Sequence, residues 1–176
     1  PSSKEVNKKQ LTEKRKSIMT ENTNEIQVQA EAANNYEIKQ NAEGKFERKA
    51  IYQPFMSVTP ETRAQKIALL QLLESDTVAK PLNDCVGSKI TIADVIINPY
   101  DKVNEDTGEM EYGVLTYMID TNGEAYVTSS KSVYYTLQNI FKVFGLPHWE
   151  EQDAVTVQVV KKKGLQFNYT DINVIG

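Results

Sequence analysis

Ser88-Lys89-Ile90-Thr91-Ile92-Ala93-Asp94-Val95-Ile96-Ile97-Asn98 is the stretch whose reading decides the fold. Successive side chains of an extended chain point to opposite faces. Ile90 and Ile92 therefore share one face, and Val95 and Ile97 fall on the other. The phase slips near Asp94, and a slip of one residue turns every later side chain over. A bulge or sharp bend around Asp94 keeps both apolar pairs buried. The sequence thus predicts one long bent strand, able to pair with neighbours on both of its sides.

Working outward, residues 101–111 are acidic and polar with one Gly and predict a loop. Residues 112–119 (Tyr112 to Ile119) form a second strand. Asp120-Thr121-Asn122-Gly123 reads as a hairpin turn, because Asn-Gly supplies positive φ. Residues 124–128 form the third strand. A helix follows: Ser129 or Ser130 can cap it, and Val133, Leu137, Ile140, Phe141 and Phe144 make one apolar stripe. Gly145 and Pro147 stop it. Residues 154–160 alternate, with Val155, Val157 and Val159 inward. Lys161-Lys162-Lys163-Gly164 reads as a turn, and residues 165–170 return as the last strand with Leu165, Phe167 and Tyr169 on one face. Upstream, Thr59-Pro60-Glu61 reads as a helix start, Thr as N-cap and Pro at the first helical position. That helix spans about 60–75. Residues 51–58 are apolar and aromatic and should dock on the domain. Residues 1–50 are rich in Lys, Glu, Asn, Gln and Ser, too polar to offset their chain entropy by burial. They are expected to form a flexible polar N-terminal tail, leaving 51–176 as the folded domain.

The element order is three strands, a helix and two strands, preceded by a helix. This predicts a mainly β protein: a five-stranded OB-type barrel with a helix between strands 3 and 4, an N-terminal helix and a disordered tail. A parallel α/β sheet needs a helix between most strands, and a sandwich usually has about seven strands.

Composition narrows the function. The 176 residues contain one Cys and one His, so neither an intramolecular disulfide nor a Cys/His zinc site fits one chain. No Gly-rich phosphate loop, nucleophile elbow or metal-ligand spacing is present. The acidic run Asp101 to Glu111 lacks the EF-hand register and reads as a solvated loop. The sequence therefore points away from an enzyme, a metal or a cofactor. No apolar run is long enough for a membrane span, and no signal peptide is read at the start, so a cytoplasmic protein is expected. Charge is uneven. Residues 1–18 hold six Lys/Arg and two Glu, whereas 51–176 hold ten basic and sixteen acidic residues. An acidic domain lacks the broad basic surface of many nucleic-acid binders. It also fits an acidic interaction module, such as an inhibitor that mimics DNA.

Two segments carry a resemblance. One is Leu115-Thr116-Tyr117-Met118-Ile119-Asp120-Thr121-Asn122-Gly123, then Tyr126-Val127-Thr128-Ser129-Ser130 and Ser132-Val133-Tyr134. The other is Ile140-Phe141-Lys142-Val143-Phe144-Gly145-Leu146-Pro147-His148-Trp149-Glu150, with the Val-rich strand and lysine run behind it. Over residues 82–172 the chain resembles the single-stranded-DNA-binding proteins of phages and mobile elements of Gram-positive bacteria. The resemblance implies an OB-type fold that coats single strands during replication of an invading element, in a bacterial host cytoplasm. The chain departs from the better-known bacterial single-strand-binding proteins by ending Asp171-Ile172-Asn173-Val174-Ile175-Gly176, without an acidic tail. The implied partner is single-stranded DNA, with replication proteins and further copies of the chain as other candidates.

Sequence-indifferent binding of a single strand needs π-faces for bases and cations for the backbone. Tyr100, Tyr112, Tyr117, Tyr126, Phe167 and Tyr169 are the candidate platforms. OB barrels bind across strands 2 and 3 and adjoining loops, which favours Tyr112, Tyr117 and Tyr126. On strand 2 the face of Gly113, Leu115, Tyr117 and Ile119 looks the more apolar, which would bury Tyr117 and expose Tyr112. Phe167 and Tyr169, in phase with Leu165, read as core. Lys161, Lys162 and Lys163 are the sharpest basic feature, with Lys131 after strand 3, and Lys89 and Lys102 as lesser candidates. Trp149 either stacks a base or packs on the barrel.

Overall fold

The computed structural model describes residues 36–40 and 43–176. The chain divides between Ile51 and Tyr52 into two units. In the first, β1 (Tyr36–Gln40) and β2 (Phe46–Ala50) pair as an antiparallel hairpin. Strand pairing here replaces the expected tail. Tyr36 and Ile38 alternate with charged residues, a local signal that the polar composition outweighs in a sequence reading. The rest of the tail expectation lies outside the described residues.

The second unit, Tyr52–Gly176, is a curled mixed sheet that closes halfway into a barrel, with two helices. Its elements are β3 (Phe55–Met56), α1 (Arg63–Glu74), β4 (Lys80–Pro81), a 3-10 turn (Leu82–Cys85), β5 (Lys89–Val103), β6 (Met110–Asp120), β7 (Ala125–Thr128), α2 (Lys131–Phe144), β8 (Val155–Lys163) and β9 (Asn168–Val174). The strands run in the order β4-β7-β6-β5-β8-β9, with β3 paired to β5. The sheet thus has seven strands and not five: β3 and β4 are two-residue additions that the expected order lacked. No helix among the described residues is long and apolar enough to cross a membrane.

β5 organises the sheet. Its first residues pair with β8 (Ile90↔Val157), and the remainder pairs with β6 (Val95↔Met118). The register to β6 shifts between Ile92 and Asp94, which is the bulge expected from the phase slip. Three contacts hold it. Ser57 Oγ donates to Asp94 Oδ1 at 2.7 Å and accepts the Val95 N–H at 3.0 Å. The Ala93 carbonyl accepts the N–H groups of His148 and Trp149 at 3.0 and 2.9 Å. His148 Nδ1 lies 2.9 Å from Asp94 Oδ1.

Both faces of β6 are buried. Val114, Thr116 and Met118 face the barrel interior with no exposure. On the outer face Tyr117 packs with Ile96, Ala79 and the α1 residue Leu72. The interior face is therefore the one that the sequence reading placed outside.

Several boundaries move for identifiable reasons. α1 starts three residues later than expected. Thr62 is its N-cap: its side chain accepts the Gln65 N–H at 3.2 Å while Gln65 Oε1 accepts the Thr62 N–H at 3.0 Å. This reciprocal box satisfies two otherwise unpaired donors, which Thr59-Pro60 does not. β5 and β6 extend past the expected strand ends, so the 101–111 loop shrinks to residues 104–109. At the next hairpin only Gly123 takes positive φ (84°), and the Asp120 carboxylate accepts the Asn122 and Glu124 N–H groups, both at 2.9 Å. Ser130 stands at the N-cap of α2, but its hydroxyl donates elsewhere, to the Thr170 carbonyl at 2.6 Å.

The bulge clamp yields a pH prediction. His148, the one histidine of the chain, adopts φ 92° and is exposed. The hydrogen bond to Asp94 and the charge of that carboxylate raise the imidazole above its ordinary 6.5. A pKa raised in the folded state gives stabilisation that is complete below the unfolded value and is lost as pH rises through the folded one. Thermal midpoints should therefore fall as pH rises from about 5.5 to 8. His148→Asn, which tolerates the positive φ, should flatten that dependence. An unflattened profile in the variant would show that the clamp contributes nothing.

Candidate nucleic-acid interface

The pairing path ends at β9 on one side and, on the other, at β4, which covers only Tyr126 and Val127 of β7, so past β4 the barrel stays open along a seam between β7 and β9. β7 pairs instead with β4, in parallel. The Ser130–Thr170 hydrogen bond spans the seam. A cleft of about 610 Å³ opens along it, with Thr128–Ser132 on one wall, Phe167–Thr170 on the other, and Asn83 and Lys161 between them.

The cleft joins cations to aromatic rings. Lys161 is exposed, and its Nζ donates to Thr170 Oγ1 at 3.1 Å; that hydroxyl in turn donates to Asn83 Oδ1. No carboxylate pairs with Lys161 among the described residues. Lys131, the first residue of α2, is exposed on the opposite wall. Phe167 is 73% exposed and Tyr169 half-buried, and both line the cleft. Leu165, beside them, is fully exposed.

This arrangement corrects the expected last hairpin. Lys161, Lys162 and Lys163 are the end of β8 and not a turn; they pair with Thr170, Tyr169 and Asn168. The turn is Gly164–Phe167, and β9 runs from Asn168 to Val174. Leu165 and Phe167 consequently leave the core for solvent. The register is set further along, where Val159 and Ile172 pair and are both buried.

The other candidates do not line this cleft. Tyr117 is 4% exposed, because α1 covers the outer face of β6 and β7 that a ligand would cross in an OB barrel. Tyr126 is buried too; its hydroxyl donates to Glu124 Oε2 at 3.0 Å, while Glu124 Oε1 accepts from Lys80 at 2.7 Å. Burial and that hydrogen bond push the phenol up to about 12. Tyr100 is half-buried and lies over Gly113, its partner across β5 and β6. A Cβ at Gly113 would come within 2.3 Å of the Tyr100 ring, so only glycine admits this approach. Tyr112 is 37% exposed. Trp149 is half-buried and stands edge-on to Phe141 of α2 at 6.3 Å. Lys162 is held by Asp171; Lys163 is exposed.

The structure thus brings Lys131, Lys161, Phe167 and Tyr169 together along one cleft, which Tyr100, Tyr112, Tyr117, Tyr126 and Trp149 do not line. Asn83 joins the site without any sequence signal of its own, and Ser130, which the sequence marks only as a helix cap, joins it too. At the edge of this region Glu111 is held below the ordinary carboxylate range by the Asn104 amide and by Lys102, with Lys131 adding to the effect.

Residues 50–172 match the family model described as phage single-stranded DNA-binding protein, of the phi29 type. The chain is 36% identical over 159 residues to a single-stranded DNA-binding protein of Bacillus phage GA-1, an alignment covering 89% of this chain and 92% of that protein. No solved structure matches the chain.

Proposed function

The chain belongs to the phi29-type family of phage single-stranded DNA-binding proteins, and from that premise we propose that it binds single strands along the β7–β9 seam, without sequence preference. The observation that carries this reading is the cleft where Lys131 and Lys161 stand beside the exposed ring of Phe167 and the half-buried Tyr169. Bases stack on the two rings, each at about 1–3 kcal/mol, and phosphates meet the lysines. Such stacking ignores base identity, since every base has a π-face. The protein acts by coating and protecting the strand during replication of a phage in its host cytoplasm. It catalyses nothing.

The acidic balance of residues 51–176 does not favour the DNA-mimic reading. Several of the acids are turned to internal partners: Asp94 to Ser57 and His148, Asp120 to its own hairpin, Glu124 to Lys80 and Tyr126, Asp171 to Lys162. The same balance predicts a modest electrostatic contribution. Three phosphates, met by Lys131, Lys161 and the exposed Lys163 at the end of β8, give a log–log salt slope of about −2 for a single strand.

The test is fluorescence anisotropy of a labelled oligo-dT of about 30 nucleotides, a length that spans more than one typical OB site. It is run at low and physiological salt, with duplex as control. Single-strand binding that weakens gently with salt, and little or no duplex binding, is the expected result. No binding at low salt with protein in the tens of micromolar (about 6 kcal/mol) overturns the reading.

A further inference from the structure

Three consecutive lysines end β8, and their surroundings differ. Successive residues of a strand face opposite ways. Lys161 and Lys163 continue the face of Val155, Val157 and Val159, and both are exposed. Lys162 continues the other face, where its Nζ donates to Asp171 Oδ2 at 2.5 Å.

Asp171 is 3% exposed. Its Oδ1 accepts from Thr136 Oγ1 at 3.0 Å and from the Ile172 N–H at 2.9 Å, and Ser132 also donates to the carboxylate. Ser132 and Thr136 are four residues apart, so they lie on one face of α2. One carboxylate therefore ties together β8, β9 and the start of α2. The last two carry the two walls of the cleft. Burial works to raise the Asp171 pKa, but these donors hold it below the ordinary value.

We propose that the lysine run is divided: Lys161 and Lys163 serve the phosphates of a bound strand, Lys162 serves as counter-ion to Asp171, and Asp171 is a positioning residue that fixes the cleft walls and withholds the middle cation from DNA. The inference rests on the seam as the DNA site. A buried carboxylate stripped of its cation is costly, whereas a surface lysine is not, so the two kinds of lysine have opposite roles.

The test is the salt dependence of oligo-dT binding by the full chain and four variants. Lys161→Ala and Lys163→Ala should each flatten the slope by about 0.7, the loss of one phosphate contact on a single strand. Lys162→Ala should leave the slope at the wild-type value while lowering the thermal midpoint. Asp171→Asn keeps the shape and removes the charge; its slope should steepen by about 0.7 as Lys162 becomes available. Should Lys162→Ala fail to fold, the uncharged pair Lys162→Met with Asp171→Asn takes its place, with a wild-type slope expected. Flattening by Lys162→Ala or the pair as large as by Lys161→Ala, or no change in Asp171→Asn, overturns the division of the lysines. A slope unmoved by Lys161→Ala and Lys163→Ala, in a protein that still binds oligo-dT, overturns the seam itself.

Discussion

Replacing Phe167 by alanine is expected to weaken oligo-dT binding by roughly 5- to 150-fold, the equivalent of one stacked base. The ring stands on the Gly164–Phe167 turn with 73% of its surface exposed. Truncation therefore removes little packing, and the thermal midpoint should hold, as for most surface substitutions. Leu165→Ala is the matched control. Leu165 is also exposed on this turn, but an aliphatic side chain has no π-face to stack a base. Its loss should change affinity little. Phe167→Trp should restore or strengthen binding, since an indole stacks at least as well. Equal affinities for Phe167→Ala and wild type would remove the turn from the DNA path and leave Tyr169 as the remaining platform of the cleft.

How legible this site is in the sequence depends on which physical signal dominates locally. The bulge at Asp94 is legible because isoleucines and valines on both sides of it must stay buried, and only a phase slip allows that. The stripe of α2 and its stop at Gly145 are legible for the same reason: burial writes its period directly into the sequence. The lysine run misleads because three charges before a glycine resemble a turn, whereas the alternation Val155, Val157, Val159 continues in phase through Lys161 and Lys163. Where β9 begins depends on Ile172 meeting Val159 across the ladder, a tertiary fact with no local trace. Once the turn is displaced, Phe167 moves from presumed core to open cleft. The burial of Tyr117 has a similar origin. Nothing local says that α1 will lie on β6, since Leu72 alone of its residues is fully covered, and Ile67 and Leu70 remain exposed. The Thr62–Gln65 capping box is written in the sequence, but Thr59-Pro60-Glu61 carries a competing start signal three residues earlier.

The largest effect on stability is expected from Tyr134→Ala. Tyr134 is 1% exposed on α2. Its ring meets Tyr52 edge-on at 5.1 Å and Tyr135 at 5.2 Å, and its hydroxyl accepts the Gln53 N–H at 3.3 Å. Truncating a buried aromatic to alanine costs about 3–5 kcal/mol. For a folded unit of this size the thermal midpoint should fall by roughly 10 °C or more. Tyr134→Phe keeps the rings in contact and loses one hydrogen bond, about 1 kcal/mol. The comparison separates packing from the polar contact. The damage should also spread in a defined direction. Tyr134 anchors the segment at Tyr52 and Gln53, which leads into β3 on Ile97 and Ile96 and then to Ser57 on the Asp94 bulge. Losing that anchor frees the segment that braces β5 at its bend. Amide exchange at Val95, whose N–H is capped by Ser57, should therefore accelerate in Tyr134→Ala by more than at Val157 in the β5–β8 ladder. A uniform acceleration at both sites would mean that the segment and the barrel open as one unit, and that Tyr134 supports the core generally and not the bend in particular.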